Sequence, residues 1–229
     1  MIDNTGPAAA DKAMGDAADE YDADHEYDAD HEDDADRGAG TVRHIVWPAG
    51  TVGLAALDVD DADLLHGWRS DPVAAHGMGI WPRSRTATRE RIERDCDDND
   101  RDDFLVLLPD LTPVGHAVLS NQDIGDGTAE VELMLAPGHR GQGHAVAALD
   151  ALVDLAFGEL PLYRLAAETH TDNAPALAVL ARSGFVQEGV SRSACLHRGR
   201  RHDLAVFSLL RPEWEALKRP RAWEESAHL

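Results

Sequence analysis

The sequence has no long hydrophobic segment and only two cysteines. No window approaches about eighteen consecutive apolar residues, so we expect no membrane-spanning helix. The first residues contain neither a basic nor an apolar segment, which argues against a secretory leader. Cys96 and Cys195 lie far apart and match no metal-ligand spacing, and two isolated thiols suit a reducing compartment. These absences predict a cytoplasmic protein that binds no membrane and no metal.

Positive charge is also scarce. The formal net charge is -22, with 43 acidic residues against 21 lysines and arginines. Nucleic-acid binding requires clustered lysine and arginine side chains, so an acidic chain of this kind is not expected to bind nucleic acid. The negative charge would instead attract a cationic substrate by electrostatic steering. A biased genome or a salty cytoplasm would produce the same composition, so charge alone does not identify a substrate.

The negative charge is concentrated at the N-terminus. Residues 1–40 carry 14 acidic and 2 basic residues and almost no large apolar ones. The six residues 21–26, YDADHE, are repeated at 27–32. Such a segment cannot bury enough apolar surface to offset its chain entropy, so we predict a disordered acidic tail. Metal capture by His25 and His31 is the alternative interpretation.

Deleting residues 1–40 should leave the melting temperature nearly unchanged, because a disordered tail contributes no packing to the folded domain. The proton NMR spectrum of the full-length protein should contain sharp, poorly dispersed signals from the same segment. A large fall in melting temperature on deletion would show that the segment packs on the domain instead.

The remainder of the chain predicts a folded domain over 41–215, followed by a C-terminal extension over 216–229. Short apolar runs and polar–apolar alternation indicate strands, and apolar residues at helical spacing indicate helices. Asp71 and Pro72 should end the first helix. This order of elements predicts a mixed α/β layered sheet. The predicted strands lie near 42–46, 52–56, 104–108, 114–119, 130–135, 163–169, 185–190 and 203–210, and the predicted helices near 60–70, 86–97, 144–157 and 174–182.

The segment 140–145, RGQGHA, stands between a predicted strand and a predicted helix. Glycines let the backbone approach a ligand closely, and the unpaired amides and dipole of a helix N-terminus favour an anion such as a diphosphate. Arg140 adds a positive charge nearby. The segment has neither the three-glycine pattern of dinucleotide-binding folds nor a P-loop lysine. Taken alone, two glycines before a helix are more often an ordinary turn.

The surrounding motifs resemble the GNAT superfamily of N-acetyltransferases. Residues 140–145 match its signature, [QR]-x-x-G-x-[GA], at every fixed position. The stretch 163–173, YRLAAETHTDN, and the later segments SGF and GRRHD follow in the order and spacing of this family. The closing FSLL and PEW and the early WRSDP at 68–72 are similar to the branch that acetylates ribosomal-protein N-termini. The resemblance covers roughly residues 52–214.

The resemblance implies a GNAT acyl-CoA N-acyltransferase fold, with a central, mostly antiparallel twisted sheet whose middle strands splay apart between flanking helices. Acetyl-CoA would be the cosubstrate. Its pyrophosphate would lie on the backbone amides of the loop, its pantetheine arm would run beside the preceding strand, and Asn173 would contact it near its reactive end. The implied cofactor-binding residues are Leu133, Met134, Leu135, Arg140, Gly141, Gln142, Gly143, His144, Ala145 and Asn173.

The family transfers the acetyl group by direct attack of an amine on the thioester. The ammonium then needs a base, and the leaving thiolate can use an acid. Glu168 resembles the basic glutamate of N-terminal-amine acetyltransferases, and Glu132 or Glu130 on the preceding strand could also reach the cleft. A solvated or ion-paired strand position is the alternative for each glutamate. His116 and His170 are further candidates, because histidine titrates near neutral pH.

The expected acid departs from the family pattern. Relatives carry a tyrosine seven residues after the asparagine or a serine three residues after it, and here Leu180 and Ala176 occupy these positions. Cys195 is not expected to be a nucleophile, because no histidine stands at a suitable spacing and the family needs none. The sequence predicts an N-acetyltransferase for a small-molecule amine or a protein N-terminal amine, as a monomer or homodimer. A catalytically degenerate member that binds CoA as a regulatory or interaction protein is the alternative.

Two further features are open to more than one interpretation. The arginine-rich run 83–89 falls in the region that covers the acceptor site in this fold, so it could bind an acidic acceptor or CoA phosphates. A solvated helix face with Arg–Glu pairs is the simpler interpretation. Trp47, Trp68 and Trp81 are expected at buried core or cap positions unless they line a pocket.

Overall fold

The computed structural model describes residues 44–45 and 47–225, so the acidic segment 1–40 and its predicted disorder lie outside the described residues. The strands are β1 (Trp47–Ala49), β2 (Val52–Ala56), β3 (Asp102–Leu107), β4 (Pro113–Asp123), β5 (Thr128–Leu135), β6 (Arg164–His170), β7 (Val186–His197) and β8 (Arg200–Leu210). The helices are α1 (Ala62–Arg69), α2 (Pro72–Gly77), α3 (Arg85–Cys96), α4 (His144–Glu159), α5 (Ala174–Arg182), α6 (Arg211–Ala216) and α7 (Ala222–Glu225).

All eight strands form one sheet, in the order β1–β2–β3–β4–β5–β6–β8–β7. Neighbouring strands are antiparallel except for β5 and β6, which are parallel and are connected through α4. A parallel pair needs a crossover of this length, because its strand ends lie at opposite edges of the sheet. The predicted α/β fold with a mostly antiparallel central sheet is confirmed.

Side chains of a strand point alternately to the two faces of the sheet, so each face has its own core. Different helices cover these two cores. On β5, Val131 belongs to the core beneath α4 and α5, whereas Met134 belongs to the core formed with α1, α2 and α3. Helix α4 is apolar on most sides, and a helix of this kind is buried rather than surface-lying. The helix packs against the sheet through its buried residues from Ala148 to Phe157. None of the described helices is both long and apolar enough to cross a membrane.

The predicted break at Asp71 and Pro72 is present, because α1 ends at Arg69, but Pro72 also begins a second helix that was not predicted. Asp71 caps α2, and its Oδ2 accepts a hydrogen bond from the backbone N–H of Ala74 at 2.9 Å. Proline is favourable in the first turn because its missing N–H would have no intrahelical partner there. The segment therefore turns at Asp71 and continues as a second short helix on the same face of the sheet.

The edge strands also differ from the prediction. Ile45 precedes β1 rather than belonging to it, and its predicted neighbours 42 and 46 lie outside the described residues. At the other edge, β7 and β8 extend to His197 and Arg200, beyond the predicted boundaries. A tight turn with Gly199 at φ +74° joins them, so the last two strands form one long hairpin.

The predicted C-terminal extension packs against the domain. Asp154 is fully buried in α4 and accepts hydrogen bonds from Trp214 Nε1 at 2.7 Å and from the backbone N–H of Ala222 at 2.8 Å. Arg219 donates to both of its carboxylate oxygens, at 2.7 and 2.8 Å. Trp223 lies edge-on to Trp47, with ring centroids 6.0 Å apart. The chain as far as residue 223 is therefore part of the folded unit.

Asp154→Ala is expected to destabilise the protein by about 3–5 kcal/mol, the usual cost of removing one partner of a buried ion pair. The substitution leaves the indole N–H of Trp214 buried without this acceptor. Urea denaturation should show a lower midpoint with an unchanged slope. Glu159→Ala, at an exposed position of the same helix, is the matched control and should change stability by no more than about 0.5 kcal/mol. Equal midpoints for the two variants would contradict the role of Asp154.

Candidate active site

The parallel strands β5 and β6 separate along their length. Their ladder contains three aligned pairs and ends where Glu130 is opposite Ala166. Strand β5 continues to Leu135 and β6 to His170, paired on their outer sides with β4 and β8. The inner edges of both strands beyond Glu130 and Ala166 therefore have no strand partner. The structure contains the predicted splay, and it opens towards the C-terminal ends of the two strands.

The glycine loop follows β5 directly and meets the requirements of an anion site. Gly141 and Gly143 have φ values of +75° and +89°, which side chains other than glycine rarely adopt. A Cβ added to either glycine would meet no atom within 4 Å, so the backbone is open to a ligand. Gly143 caps α4 without a side-chain hydrogen bond, and the first turn of α4 contains no acidic residue. These features suit a phosphate group at the helix N-terminus.

The polar side chains of the loop contact protein groups. Arg140 Nη1 lies 2.8 Å from Asp71 Oδ2, which links the loop to the N-terminus of α2. The backbone N–H of Ala74 and this arginine together hold the pKa of Asp71 below its usual range. Gln142 Nε2 donates to the carbonyl oxygen of Gly138 at 3.1 Å. The loop therefore offers a ligand mainly its backbone amides, with the guanidinium of Arg140 close by.

Asn173 holds the turn at the end of β6. Its Oδ1 accepts a hydrogen bond from the backbone N–H of Ala176 at 3.3 Å, so it caps α5. Its Nδ2 donates to Thr169 Oγ1 at 3.1 Å. A Cβ on Gly77 of α2 would lie 3.4 Å from the same Nδ2, so α2 and this turn are in close contact. Asn173 therefore lies where the splay between β5 and β6 ends.

Glu132 and Glu168 project from the same face of the sheet, on opposite sides of the gap. Glu130 and Ala166 are aligned, and residues two apart on a strand share a face, so both carboxylates point towards the side carrying α1, α2 and α3. Both side chains are exposed. The structure thus places the two predicted base candidates beside the gap, where either one can reach a ligand lying between the strands.

His116 is not a free base in the structure. It is buried in β4, and its Nε2 lies 2.7 Å from Asp103 Oδ1 on β3. Burial alone would raise the pKa of Asp103, but hydrogen bonds from His116 and Arg101 outweigh it and lower that pKa. Asp103 thus lies between Arg101, with which it forms an ion pair, and His116, to which it is hydrogen-bonded. A structural role in the sheet is therefore a better interpretation of His116 than a role as the catalytic base.

His170 lies in a cluster that the sequence analysis missed. Its Nε2 is 3.3 Å from Cys195 Sγ, although no histidine had stood at a suitable spacing from this cysteine. The two residues meet because β6, β8 and β7 are neighbours in the sheet. His170 is also surrounded by His76, His197 and His202. Burial and the neighbouring imidazoles lower its pKa. No local sequence signal could have shown this cluster.

The arginine-rich segment lines a shallow pocket between α1 and α3, on the face that carries the two glutamates. Several arginines of the segment pair with carboxylates: Arg85 with Asp63, and Arg89 with Glu93 at 3.4 Å. The predicted charge pairing on α3 is thus present. The pocket is nevertheless basic, with a lining formed by His66, Arg69, Ser70, Trp81, Arg83, Ala87, Thr88 and Arg91.

Trp81 contradicts the expectation of burial. Its side chain is 65% exposed, whereas Trp68 is buried in the core with α1 and α3. The guanidinium of Arg83 lies 5.0 Å above its ring, within range of a cation–π contact. Trp81 therefore forms part of the pocket wall, in agreement with the alternative interpretation of this tryptophan.

A parallel pair of strands that splays beside an open helix N-terminus is the arrangement that the resemblance to GNAT acyl-CoA N-acyltransferases implied. Comparison with known families agrees with this assignment. The family described as acetyltransferase (GNAT) domain matches residues 51–186. The chain belongs to the GNAT acetyltransferase family and is an acetyl-CoA-dependent acyltransferase.

Individual proteins with similar sequences are also named as N-acetyltransferases. An uncharacterized N-acetyltransferase of Bacillus licheniformis, p20, is 30% identical over 166 residues, which is 70% of this chain and 93% of p20. YdaF of Bacillus subtilis, whose name marks it as a candidate ribosomal N-acetyltransferase, is 38% identical over 112 residues, or 49% of this chain and 61% of YdaF. The resemblance to the ribosomal branch is thus confirmed.

The fold also resembles solved structures. Spermidine N-acetyltransferase from Vibrio cholerae, in complex with CoA and spermine, has a TM-score of 0.69 to this chain. The match covers 72% of this chain and 98% of that one, at 22% identity. This likeness establishes the fold and leaves the acceptor to be determined.

Proposed function

We propose that the protein transfers the acetyl group of acetyl-CoA to a primary amine by direct attack. The observation that carries the proposal is the gap between β5 and β6. It opens at the C-terminal end of β5, from which the chain leads straight into the glycine loop and α4. An extended cosubstrate with an anionic diphosphate fits such a gap at one end and such a loop at the other.

The backbone would bind most of the cosubstrate. The amides of Gln142, Gly143, His144 and Ala145 would donate to the pyrophosphate, and Gly141 would leave room for it. The inner edge of β5 at Leu133, Met134 and Leu135 would pair with the amide groups of the pantetheine arm as a further strand would. Asn173 would lie near the thioester, at the end of the gap.

The proposed chemistry forms one bond and breaks one. The amine nitrogen attacks the thioester carbonyl, the new C–N bond forms, and the C–S bond breaks with the electron pair leaving on sulfur. Before attack, the ammonium must lose a proton, and Glu168 accepts it through a water molecule. This role is supported by the exposure of Glu168 at the gap and by its position five residues before Asn173. Glu132, across the gap, is the second candidate for the same role.

Neither residue at the two expected acid positions can donate a proton. Leu180 is buried in the core, and Ala176 has no proton to donate. We propose that the leaving thiolate gains, through water, the proton that the attacking nitrogen loses as the amide forms. The same two residues motivate the alternative function, a degenerate family member that binds CoA without turnover.

Two acceptor classes follow from the charges. The negative net charge and the exposed glutamates favour a cationic amine, and a polyamine acetyltransferase is among the structural neighbours. The basic pocket with Arg69, Arg83 and Arg91 favours instead an amine that also carries a negative group, such as a peptide N-terminus followed by an acidic residue.

An acetyl-CoA thiol-release assay over polyamines, amino acids and peptides with acidic or basic second residues tests the proposal. We expect amine-dependent thiol release with at least one class, and a product heavier by one acetyl group. Calorimetric titration of CoA on the same preparation separates binding from catalysis. Tight CoA binding without turnover on any class would favour the degenerate alternative, and the absence of both would refute the assignment of the site.

A further inference from the structure

Four histidine rings from four different elements meet at one end of the sheet. His76 comes from α2, His170 from the end of β6, His197 from the end of β7 and His202 from β8. Every pair of their ring centroids lies between 4.9 and 6.3 Å apart. Imidazole rings packed so closely repel one another when protonated, so this arrangement suits neutral rings with available nitrogen lone pairs.

Several nitrogens of this histidine cluster are buried without a partner. His76 Nδ1, His170 Nδ1 and His197 Nε2 make no hydrogen bond within the part of the chain that the structure describes. His170 is only 3% exposed and His197 only 9%. A buried polar atom without a partner is costly, and native proteins rarely retain one unless a ligand or an ion satisfies it. The unpaired nitrogens thus point to a ligand that accepts their lone pairs.

Three of the side chains have the geometry of a metal site. One ligand atom each from His76, His170 and Asp172 lie within 4.8 Å of one another, and His170 Nδ1 is 3.9 Å from Asp172 Oδ1. Zinc bonds to nitrogen and oxygen are about 2.0–2.2 Å long, which places tetrahedral ligands about 3.4 Å apart. Side-chain shifts of roughly 1 Å would therefore bring the three atoms around one ion.

The other ring nitrogen of His170 is already engaged. Its Nε2 lies 3.3 Å from Cys195 Sγ, and the tautomer that carries its proton on Nε2 donates to this sulfur and keeps a lone pair on Nδ1. Metal-binding histidines usually donate their second N–H to a neighbouring acceptor, which fixes the tautomer and the ring orientation. His202 is stacked on His170 at an interplanar angle of 15°, and its Nε2 lies 3.3 Å from the carbonyl oxygen of His197. His202 therefore packs against the ring of His170, and its Nε2 is engaged with the backbone of His197.

We propose that His76, His170 and Asp172 bind a divalent transition-metal ion of the Zn²⁺ type. Two imidazoles and a carboxylate are the ligands such ions prefer, and three protein ligands leave one position open to water or another donor. The site had escaped the sequence analysis because its residues come from α2 and from the turn after β6, with no shared motif. Since the backbone N–H of Asn173 donates to the carbonyl oxygen of His170 at 2.9 Å, a bound ion would tie α2 to the turn that carries Asn173.

Titration of Zn²⁺ into the full-length protein, without a histidine tag, tests the proposal. Calorimetry should show one equivalent bound, and the melting temperature should rise by about 5–10 °C when free Zn²⁺ exceeds its Kd about 100-fold. Equal concentrations of Mg²⁺ should produce neither effect. His76→Gln and Asp172→Asn change a half-buried and an exposed side chain, so both should fold, and each should weaken Zn²⁺ binding by at least about tenfold.

Two control variants locate the bound ion. His44→Gln removes an exposed histidine outside the cluster and should keep wild-type affinity. The double variant His25→Gln, His31→Gln removes the histidines of the acidic repeat and should also keep it. The proposal is overturned if Zn²⁺ binds no more tightly than Mg²⁺, if the double variant alone loses the tight site, or if His76→Gln and Asp172→Asn both bind Zn²⁺ as the wild type does.

Discussion

Gly143→Glu is expected to abolish acetyl-CoA binding in a protein that still folds. Gly143 is the cap of α4, and a side chain there would project into the proposed binding site of the pyrophosphate. The added carboxylate would also place a negative charge against the diphosphate, and like charges in contact cost several kcal/mol. We therefore expect calorimetry to show an affinity loss of at least about 100-fold. Unchanged affinity in a folded variant would remove the loop from the site.

Gly199→Glu is the matched control for this experiment. Gly199 also has a positive φ, +74°, and a Cβ added there would likewise meet no atom within 4 Å. The two variants therefore share the added charge, the added bulk and the backbone strain, but Gly199 lies in the turn between β7 and β8. Gly199→Glu should lose about as much stability as Gly143→Glu, but it should keep wild-type affinity for acetyl-CoA. A comparable affinity loss in both variants would mean that strain or net charge, rather than position, weakens binding.

The sequence predicted best the elements whose signals are local. The alternation of Glu130, Val131, Glu132 and Leu133 describes a strand with two different faces, and the structure has that strand as β5. The apolar spacing after Gly143 likewise predicted α4. The helix break before Pro72 was predicted correctly, but α2 was missed because proline is compatible with both the end of one helix and the first turn of the next. Burial of Ala74 in the core stabilises α2, and that packing is not visible in the sequence.

The sequence predicted the backbone of the glycine loop better than it predicted the side-chain contacts around the site. The glycine loop has a sequence pattern of its own, because positive φ values require particular residues at fixed positions. The state of His116 instead depends on Asp103, which reaches it through the register of β3 and β4. Cys195 and His170 are 25 positions apart and meet only through the pairing of three strands. Contacts of this kind have no motif spacing, so histidines that looked alike in the sequence have different roles in the structure.

Glu168→Gln is expected to lower kcat by at least about 10²-fold, the low end of what a general base contributes. It should change acetyl-CoA affinity little, because the proposed role concerns the amine rather than the cosubstrate. A protonated amine cannot attack the thioester, so removal of the base is most costly where the amine is charged. The defect should therefore shrink as pH rises and more of the acceptor arrives neutral. Measurement of kcat across the pH range, beside calorimetric titration of acetyl-CoA, tests both expectations.

Glu132→Gln and Glu130→Gln separate the base from its neighbours. Glu132 borders the unpaired part of β5, whereas Glu130 lies on the same face where β5 is still paired with β6. Glu130→Gln should therefore stay close to wild-type kcat. A larger defect in Glu132→Gln than in Glu168→Gln would assign the base to β5 instead of β6. If Glu132→Gln and Glu168→Gln both keep wild-type kcat at every pH, neither of these two carboxylates accepts the proton. Because His116 is held by Asp103, the proton would then pass to bulk water.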